Sequence, residues 1–224
     1  MSKTRTDRKS STRPASQEDT PRLTLSFMTS APDLASCPAD EAPEVAFAGR
    51  SNAGKSSVLN RLSGSRQTAK VSKTPGRTQL LNFFSVRDGG GAVDDGRLVD
   101  LPGYGYAKAG RKEQARWQAA VNEYLSHRDN LVALVLVMDI RHPLQAYDLE
   151  VIEWATASQL PMLILLNKAD KLKYGIRQRT LKTVSGQLQN RPLVRIIAFS
   201  AVTGLGLPEL LDFLRNRLTP EKPD

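Results

Sequence analysis

The stretch GRSNAGKS, from Gly49 to Ser56, sets two glycines, a lysine and a serine where an apolar run should turn into a helix. Glycine weakens helix and strand alike, so packing does not explain that spacing. The pattern G-x-x-x-x-G-K-[ST] is the form of a loop that wraps phosphates. Its glycines let backbone N–H groups turn inward, and the helix start behind it adds unpaired donors and partial positive charge. Gly49, Arg50, Ser51, Asn52, Ala53 and Gly54 would form the cradle. Lys55 can reach the β- and γ-phosphates, the Ser56 hydroxyl can ligate Mg²⁺, and Ser57 joins them as a nucleotide-binding position. Chance yields the pattern in roughly one chain per hundred of this length, and its place between an apolar run and a helix lowers that further.

Two further stretches bear on which nucleotide is held. LLNKAD places Asn167, Lys168, Ala169 and Asp170 just after an apolar run. The Asp170 carboxylate can accept hydrogen bonds from guanine N1–H and its 2-amino group. Adenine lacks that donor pair, and losing a charged hydrogen bond costs about 1.5–3 kcal/mol. The Lys168 stem can lie over a base, and Asn167 can tie this loop to the phosphate loop. In FSAVTG, Phe199 and Ser200 lead to Ala201, whose N–H could meet guanine O6. VDLPG supplies D-x-x-G through Asp100, Leu101, Pro102 and Gly103. Asp100 would hold Mg²⁺ through water, and the Gly103 N–H would face the γ-phosphate.

Alternating elements must position these loops. VAFAG before the phosphate loop reads as a short buried strand, and KSSVLNRLSG as a helix ending near Gly64. LLNFFSV and RLVDLPG, joined by the turn-rich DGGGAVDDG, read as an antiparallel pair. LVALVLVMD, PMLILLNKAD and LVRIIAFSA are apolar enough for strands buried in a parallel sheet. Helical periodicity covers RKEQARWQAAVNEYLSHR, LQAYDLEVIEWATAS, IRQRTLKTVSGQLQ and LPELLDFLRNRL. Trp117 and Trp154 read as packing residues on helical faces. LTLSFMTSAPDL has only a short strand-like start. The expectation is an α/β fold with a six-stranded mixed, mostly parallel sheet and helices on both faces. Residues 23–218 would form the domain. Residues 1–22 are too polar to fold and read as a disordered basic tail, and 219–224 as a short C-terminal tail.

The 224 residues carry a formal charge of +9 and a pI near 9.8, a balance that favours anionic partners such as RNA. Basic residues cluster in three places: Arg66, Lys70, Lys73 and Arg77; Lys108, Arg111, Lys112 and Arg116; and Lys171, Lys173, Arg177, Arg179 and Lys182. No apolar run approaches the length of a membrane span, and no secretory signal is apparent. Cys37 is the single cysteine. It excludes an internal disulfide and fits a reducing compartment. A cytoplasmic, monomeric protein is expected. No Ser/His/Asp or metal-ligand spacing is persuasive, and His127 and His142 read as ordinary polar residues.

GRSNAGKSS, SKTPGRTQLLNFF, DLPGYGYAK, MDIRHP and LLNKADK occur in an order that resembles the TRAFAC GTPases. More closely, the combination resembles the bacterial EngB (YsxC/YihA) GTPases over about Leu23 to Leu218. That resemblance implies a Ras-like P-loop domain that hydrolyses GTP to GDP with Mg²⁺. It also implies a switch role in large ribosomal subunit assembly, with ribosomal RNA or subunit precursors as partners and effects on cell growth and division. It implies that Gly76, Arg77, Thr78, Gln79 and Leu80 lie beside the nucleotide, with Thr78 completing the Mg²⁺ shell. Sequence alone does not separate Thr78 from Thr74 or Thr68. Lys55 and Thr78 are then the catalytic candidates. Asn52 resembles the asparagine of GTPases that bind K⁺ beside the phosphates; its other reading is a brace for the loop. Many GTPases place glutamine after the D-x-x-G glycine. Here the residue is Tyr104, which has no amide to orient water, and Tyr104-Gly105 reads as a mobile loop with an aromatic tip. Slow hydrolysis, aided by another group or a partner, is expected. A non-hydrolysing, GTP-sensing RNA-binding module and a P-loop ATPase or nucleotide kinase are the rival readings.

Overall fold

The computed structural model describes residues 23–64, 80–88, 96–104 and 111–219, with the main chain alone for 111–118. Strands β1 (Leu23–Ala31), β2 (Glu44–Gly49), β3 (Leu81–Asp88), β4 (Gly96–Asp100), β5 (Leu131–Asp139), β6 (Met162–Asn167) and β7 (Val194–Ala198) form one sheet. Their order is β1-β3-β4-β2-β5-β6-β7. The pairs β1–β3 and β3–β4 are antiparallel, and the remaining pairs are parallel. The helices are α1 (Lys55–Ser63), α2 (Arg111–His127), α3 (Ala146–Ala157), α4 (Tyr174–Gln187) and α5 (Leu207–Leu218).

Strand side chains alternate between the two faces of the sheet. On one face Val45, Phe47, Val135, Val137, Leu163 and Leu165 pack with α1 and α5 through Leu59, Leu62, Leu210 and Leu214. On the other, Ala46, Leu134, Leu136, Ile164 and Leu166 meet α2, α3 and α4 through Tyr124, Ile152 and Val184. Every residue of β2 and β6 is buried, as expected of strands covered on both sides. Trp154 joins the second cluster as a half-buried packing residue. Burial pushes the Cys37 thiol up to about 11, so it stays protonated and behaves as a small apolar side chain.

The sheet has a seventh strand beyond the six expected from sequence. β1 pairs with β3 from Leu23 to Ala31, with a shift in register between Phe27 and Thr29. Its serines and threonines sit on an edge strand where only Leu23 and Ala31 are fully buried. The apolar alternation that marks a strand is therefore weak. Phe27 fixes the edge by meeting Phe84 edge-to-face at 5.8 Å.

A buried charge cluster ties together the sheet end opposite the phosphate loop. Glu44, fully buried, accepts hydrogen bonds from Arg97, Arg128 and the Tyr124 hydroxyl. Arg97 also pairs with Asp40. Satisfied in this way, a buried carboxylate is tolerable; alone it would not be. Among the described residues, no helix is long and apolar enough to cross a membrane.

Candidate functional site

The phosphate loop leaves the C-terminal end of the central strand β2 and enters α1. Gly49 lies so close to β5 that a Cβ there would sit 2.6 Å from the Val137 carbonyl oxygen. Gly54 has φ 98° and precedes α1 as its N-cap residue. A side chain there would be strained, and its Cβ would lie 2.4 Å from Asn167 Nδ2. Both glycines thus answer to close approach by neighbouring strands. Asn52, at φ 67°, is a non-glycine residue in the left-handed region, where asparagine is tolerated best.

The N-K-x-D loop leaves the end of β6, two strands away. Asn167, almost fully buried, donates from Nδ2 to the Ala53 carbonyl at 2.9 Å. Its Oδ1 accepts from the Ala201 N–H at 3.4 Å, so the donor expected to meet guanine O6 is turned instead to Asn167 and would have to exchange that long bond for the base. One side chain therefore joins the phosphate loop, the β6 loop and the loop after β7. Lys168, also left-handed at φ 63°, donates from Nζ to the Asn52 carbonyl at 2.6 Å. The same ammonium lies 3.0 Å from the Asp139 carboxylate at the end of β5. Asp170 Oδ1 accepts from the Ser200 hydroxyl at 2.7 Å. That bond, with help from Lys171, holds the Asp170 carboxyl below the usual carboxylate range. Backbone bonds from Ala169 N to Phe199 O and from Phe199 N to Leu166 O lock the two loops side by side.

The D-x-x-G loop reaches the phosphate loop from β4. Asp100 is buried and pairs with the Lys55 ammonium. Ser51 N–H donates to the Tyr104 carbonyl at 2.7 Å, and Gly103 packs beneath Ser51. The expectation of an aromatic loop tip at Tyr104 is corrected: the ring is buried, and its hydroxyl donates to Asp148 Oδ1 at 2.6 Å. The other carboxylate oxygen of Asp148 accepts from the Gln145 N–H and closes the first turn of α3. Burial pushes both the Tyr104 phenol and the Asp148 carboxyl above their ordinary ranges.

The predicted residues of the phosphate, D-x-x-G, N-K-x-D and FSA loops thus gather at one end of the sheet, beyond the C-terminal ends of the parallel strands, with Leu80 just before β3. Gly76, Arg77, Thr78 and Gln79 lie outside the described residues, as do residues 1–22 and 220–224, Arg66, Lys70, Lys73 and Lys108, and the side chains of Arg111, Lys112, Arg116 and Trp117. Two residues were missed from sequence. Asp139 carries Lys168 and a paired contact to Arg141 at 2.6 Å. The Arg141 hydrogen bonds, joined by Lys168, hold its carboxyl well below the usual range. The available signal was an acid at the end of the most apolar strand. Asp148, hidden in an ordinary helical pattern, had none. A cavity of about 290 Å³ lies beside the phosphate loop, lined by Arg50, Asn52, Asp139, His142, Asp148 and Lys168.

The donor set near Lys55 fits magnesium. Ser56 and Asp100 offer hard oxygens, and among the described residues no cluster of three or more His, Cys, Asp or Glu offers a full protein cage. Mg²⁺ is usually held by one or two protein oxygens together with substrate phosphates and water.

A mostly parallel sheet, a phosphate loop on its central strand and an N-K-x-D loop two strands away define the P-loop GTPase fold. The family profile described as a 50S ribosome-binding GTPase matches residues 44–168, and that of the elongation factor Tu GTP-binding domain matches 117–220. GTP-binding protein EngB of Tolumonas auensis is 50% identical over 211 residues, covering 91% of this chain and 95% of its own. EngB of Pseudoalteromonas translucida is 50% identical over 188 residues, covering 84% and 82%. A crystal structure of an EngB GTP-binding protein superposes with TM-score 0.60 at 22% identity, covering 78% of this chain and 98% of that one. Aquifex aeolicus Era bound to GDP and AlF4⁻ gives TM-score 0.60 at 19% identity, covering 82% and 59%. At these identities the two structures speak to fold alone. The chain belongs to the EngB family of GTP-binding proteins.

Proposed function

We propose that this GTPase is a Mg²⁺-dependent switch in assembly of the large ribosomal subunit, with consequences for growth and division. It would work as a cytoplasmic monomer that cycles between GTP and GDP. The observation that carries the guanine assignment is the Asn167 strut: it ties the phosphate loop at Ala53 to the loop after β7 at Ala201, and Ser200 of that same loop holds Asp170. A base read at one end and phosphates gripped at the other would then be measured by one rigid frame. Ionised Asp170 would accept from the guanine N1–H and 2-amino groups, and Lys168 would flank the base.

Hydrolysis rests on positioning and charge stabilisation. Lys55 would exchange Asp100 for phosphate oxygens, and the backbone N–H groups of Asn52 to Ser56 would orient the chain of phosphates. Ser56, Thr78 and, through water, Asp100 would hold Mg²⁺, which when bound neutralises charge on the outer phosphates. Tyr104 is engaged with Asp148 and has no amide, so no side chain at that position aligns the attacking water. We expect slow intrinsic turnover, raised by a ribosomal partner or by K⁺ held near Asn52. The description of the matching family as ribosome-binding supports the partner, as does the basic charge. Inorganic phosphate release would be followed in single turnover, in KCl and NaCl, with and without large-subunit precursors. Slow release accelerated by particles supports the switch. Fast release by the protein alone contradicts it, and no release under any condition favours the non-hydrolysing, GTP-sensing RNA-binding module that Tyr104 also suggests. Equal rates in KCl and NaCl remove the potassium role.

A further inference from the structure

From Lys171 to Pro208 the sequence holds no aspartate or glutamate, while Lys171, Lys173, Arg177, Arg179 and Lys182 fall in its first part. The helix in that segment is α4. Leu181, Val184 and Leu188 turn inward to the core. On the opposite side, Gly175, Arg179, Lys182 and Gly186 recur at steps of four, three and four, which places them on one strip of the helix. All are exposed. Arg191 and Arg195 have acidic partners in Glu153 and Asp212. Arg179 and Lys182 pair with no carboxylate among the described residues.

The two glycines are a second, independent observation. Neither has a positive φ, so neither needs glycine's conformational range. A Cβ at either would meet nothing within 4 Å. Nothing inside the chain therefore requires glycine, and alanine would suit the helix better. Glycine at both ends of a cationic strip leaves the helix without a covering Cβ there. Arg179 Nε reaches the Gly175 carbonyl at 3.4 Å, so the guanidinium lies against that bare backbone, while Gly186 is open to close approach from outside. At the strip's N-terminal edge Tyr174 is 69% exposed, with the Arg177 guanidinium 5.3 Å from its ring centroid. An exposed aromatic ring beside arginine is a stacking platform for an unpaired base.

We infer that the solvent face of α4 is an RNA-binding surface. The backbone phosphates of an RNA strand run along Arg179 and Lys182, close against Gly175 and Gly186, and an unpaired base stacks on Tyr174. Unbroken positive charge without acids favours a polyanion over a protein, whose surface would bring both signs. The inference rests on the ribosomal RNA partner proposed above and gives that contact a place on the molecule.

The test measures binding of the full chain to purified large-subunit ribosomal RNA and to a labelled single-stranded oligoribonucleotide over a series of salt concentrations. R179Q/K182Q should weaken binding more than tenfold near 0.1 M salt and flatten the log–log salt slope by about 1.5. Tyr174→Ala should lose about fivefold or more and Tyr174→Phe should restore it. G175A/G186A should raise the melting temperature by a few degrees yet weaken RNA binding, opposite signs that misfolding cannot produce. GDP affinity should be unchanged in all. RNA bound by the parent and equally by every variant overturns the α4 surface alone. Parent protein that binds no RNA overturns the RNA partner as well. Variants that keep RNA affinity but lose subunit particles assign the face to a ribosomal protein, against the inference.

Discussion

Replacing Asn167 with alanine should uncouple the guanine-reading loop from the phosphate loop while leaving the sheet intact. The side chain donates to Ala53 O at 2.9 Å and accepts from Ala201 N, and the rest of β6 is held by leucines and isoleucine in both cores. Removing the amide leaves a buried carbonyl without its partner, a loss of about 1–3 kcal/mol. Part of that returns if the freed loops relax into water, and relaxed loops are then poorer at holding a nucleotide. GDP affinity should fall about 5- to 150-fold, with the middle of that range near thirtyfold. Asn167→Asp should be no better. It keeps an acceptor for Ala201 but turns an acceptor toward the Ala53 carbonyl. Gly54→Ala should join the same class, because its Cβ would lie 2.4 Å from Asn167 Nδ2 at φ 98°. Titration calorimetry with GDP, beside thermal unfolding without nucleotide, separates affinity from stability. A folded Asn167→Ala protein that binds GDP within twofold of the parent would refute the strut.

Glu44→Gln should lower stability by about 3–5 kcal/mol, because it leaves the Arg97 and Arg128 guanidinium groups facing a neutral amide in a buried site. For a chain of this size that is about 10 °C in melting temperature, read by calorimetric scanning; a shift under about 2 °C contradicts it. Asp139 titrates below its unfolded value, so the folded protein binds fewer protons there than the unfolded chain. Its stabilisation is full above about pH 4 and is lost as pH falls toward the folded value. Asp139→Asn should therefore lose less stability than the parent as pH falls from about 4 to about 2, measured by urea unfolding; equal losses would remove the Asp139 contribution.

The phosphate loop was legible in the sequence because its chemistry demands residue types rather than packing. Gly49 and Gly54 answer to close backbone approach, Lys55 pairs its charge with Asp100, and each leaves a mark in residue identity. Asn167 and Asp170 were legible for the same reason. Buried parallel strands such as LVALVLVMD announced themselves by apolar runs. The edge strand β1 did not, because an edge needs few buried residues and tolerates serine and threonine. Tyr104 was misplaced because nothing local tells a tyrosine at a loop tip from one that reaches a carboxylate: its partner, Asp148, is far along the chain. The role of Asp139 likewise depends on β5 and β6 ending side by side.

Binding of nucleotides to the full chain with Mg²⁺, followed by titration calorimetry, bears most directly on guanine recognition through Asp170. GDP and GTP should bind saturably, and ADP and ATP should bind about tenfold to more than a hundredfold more weakly, since each charged hydrogen bond lost costs about 1.5–3 kcal/mol. Equal affinity for adenine and guanine nucleotides, or no heat from either guanine nucleotide with folded protein, would contradict it.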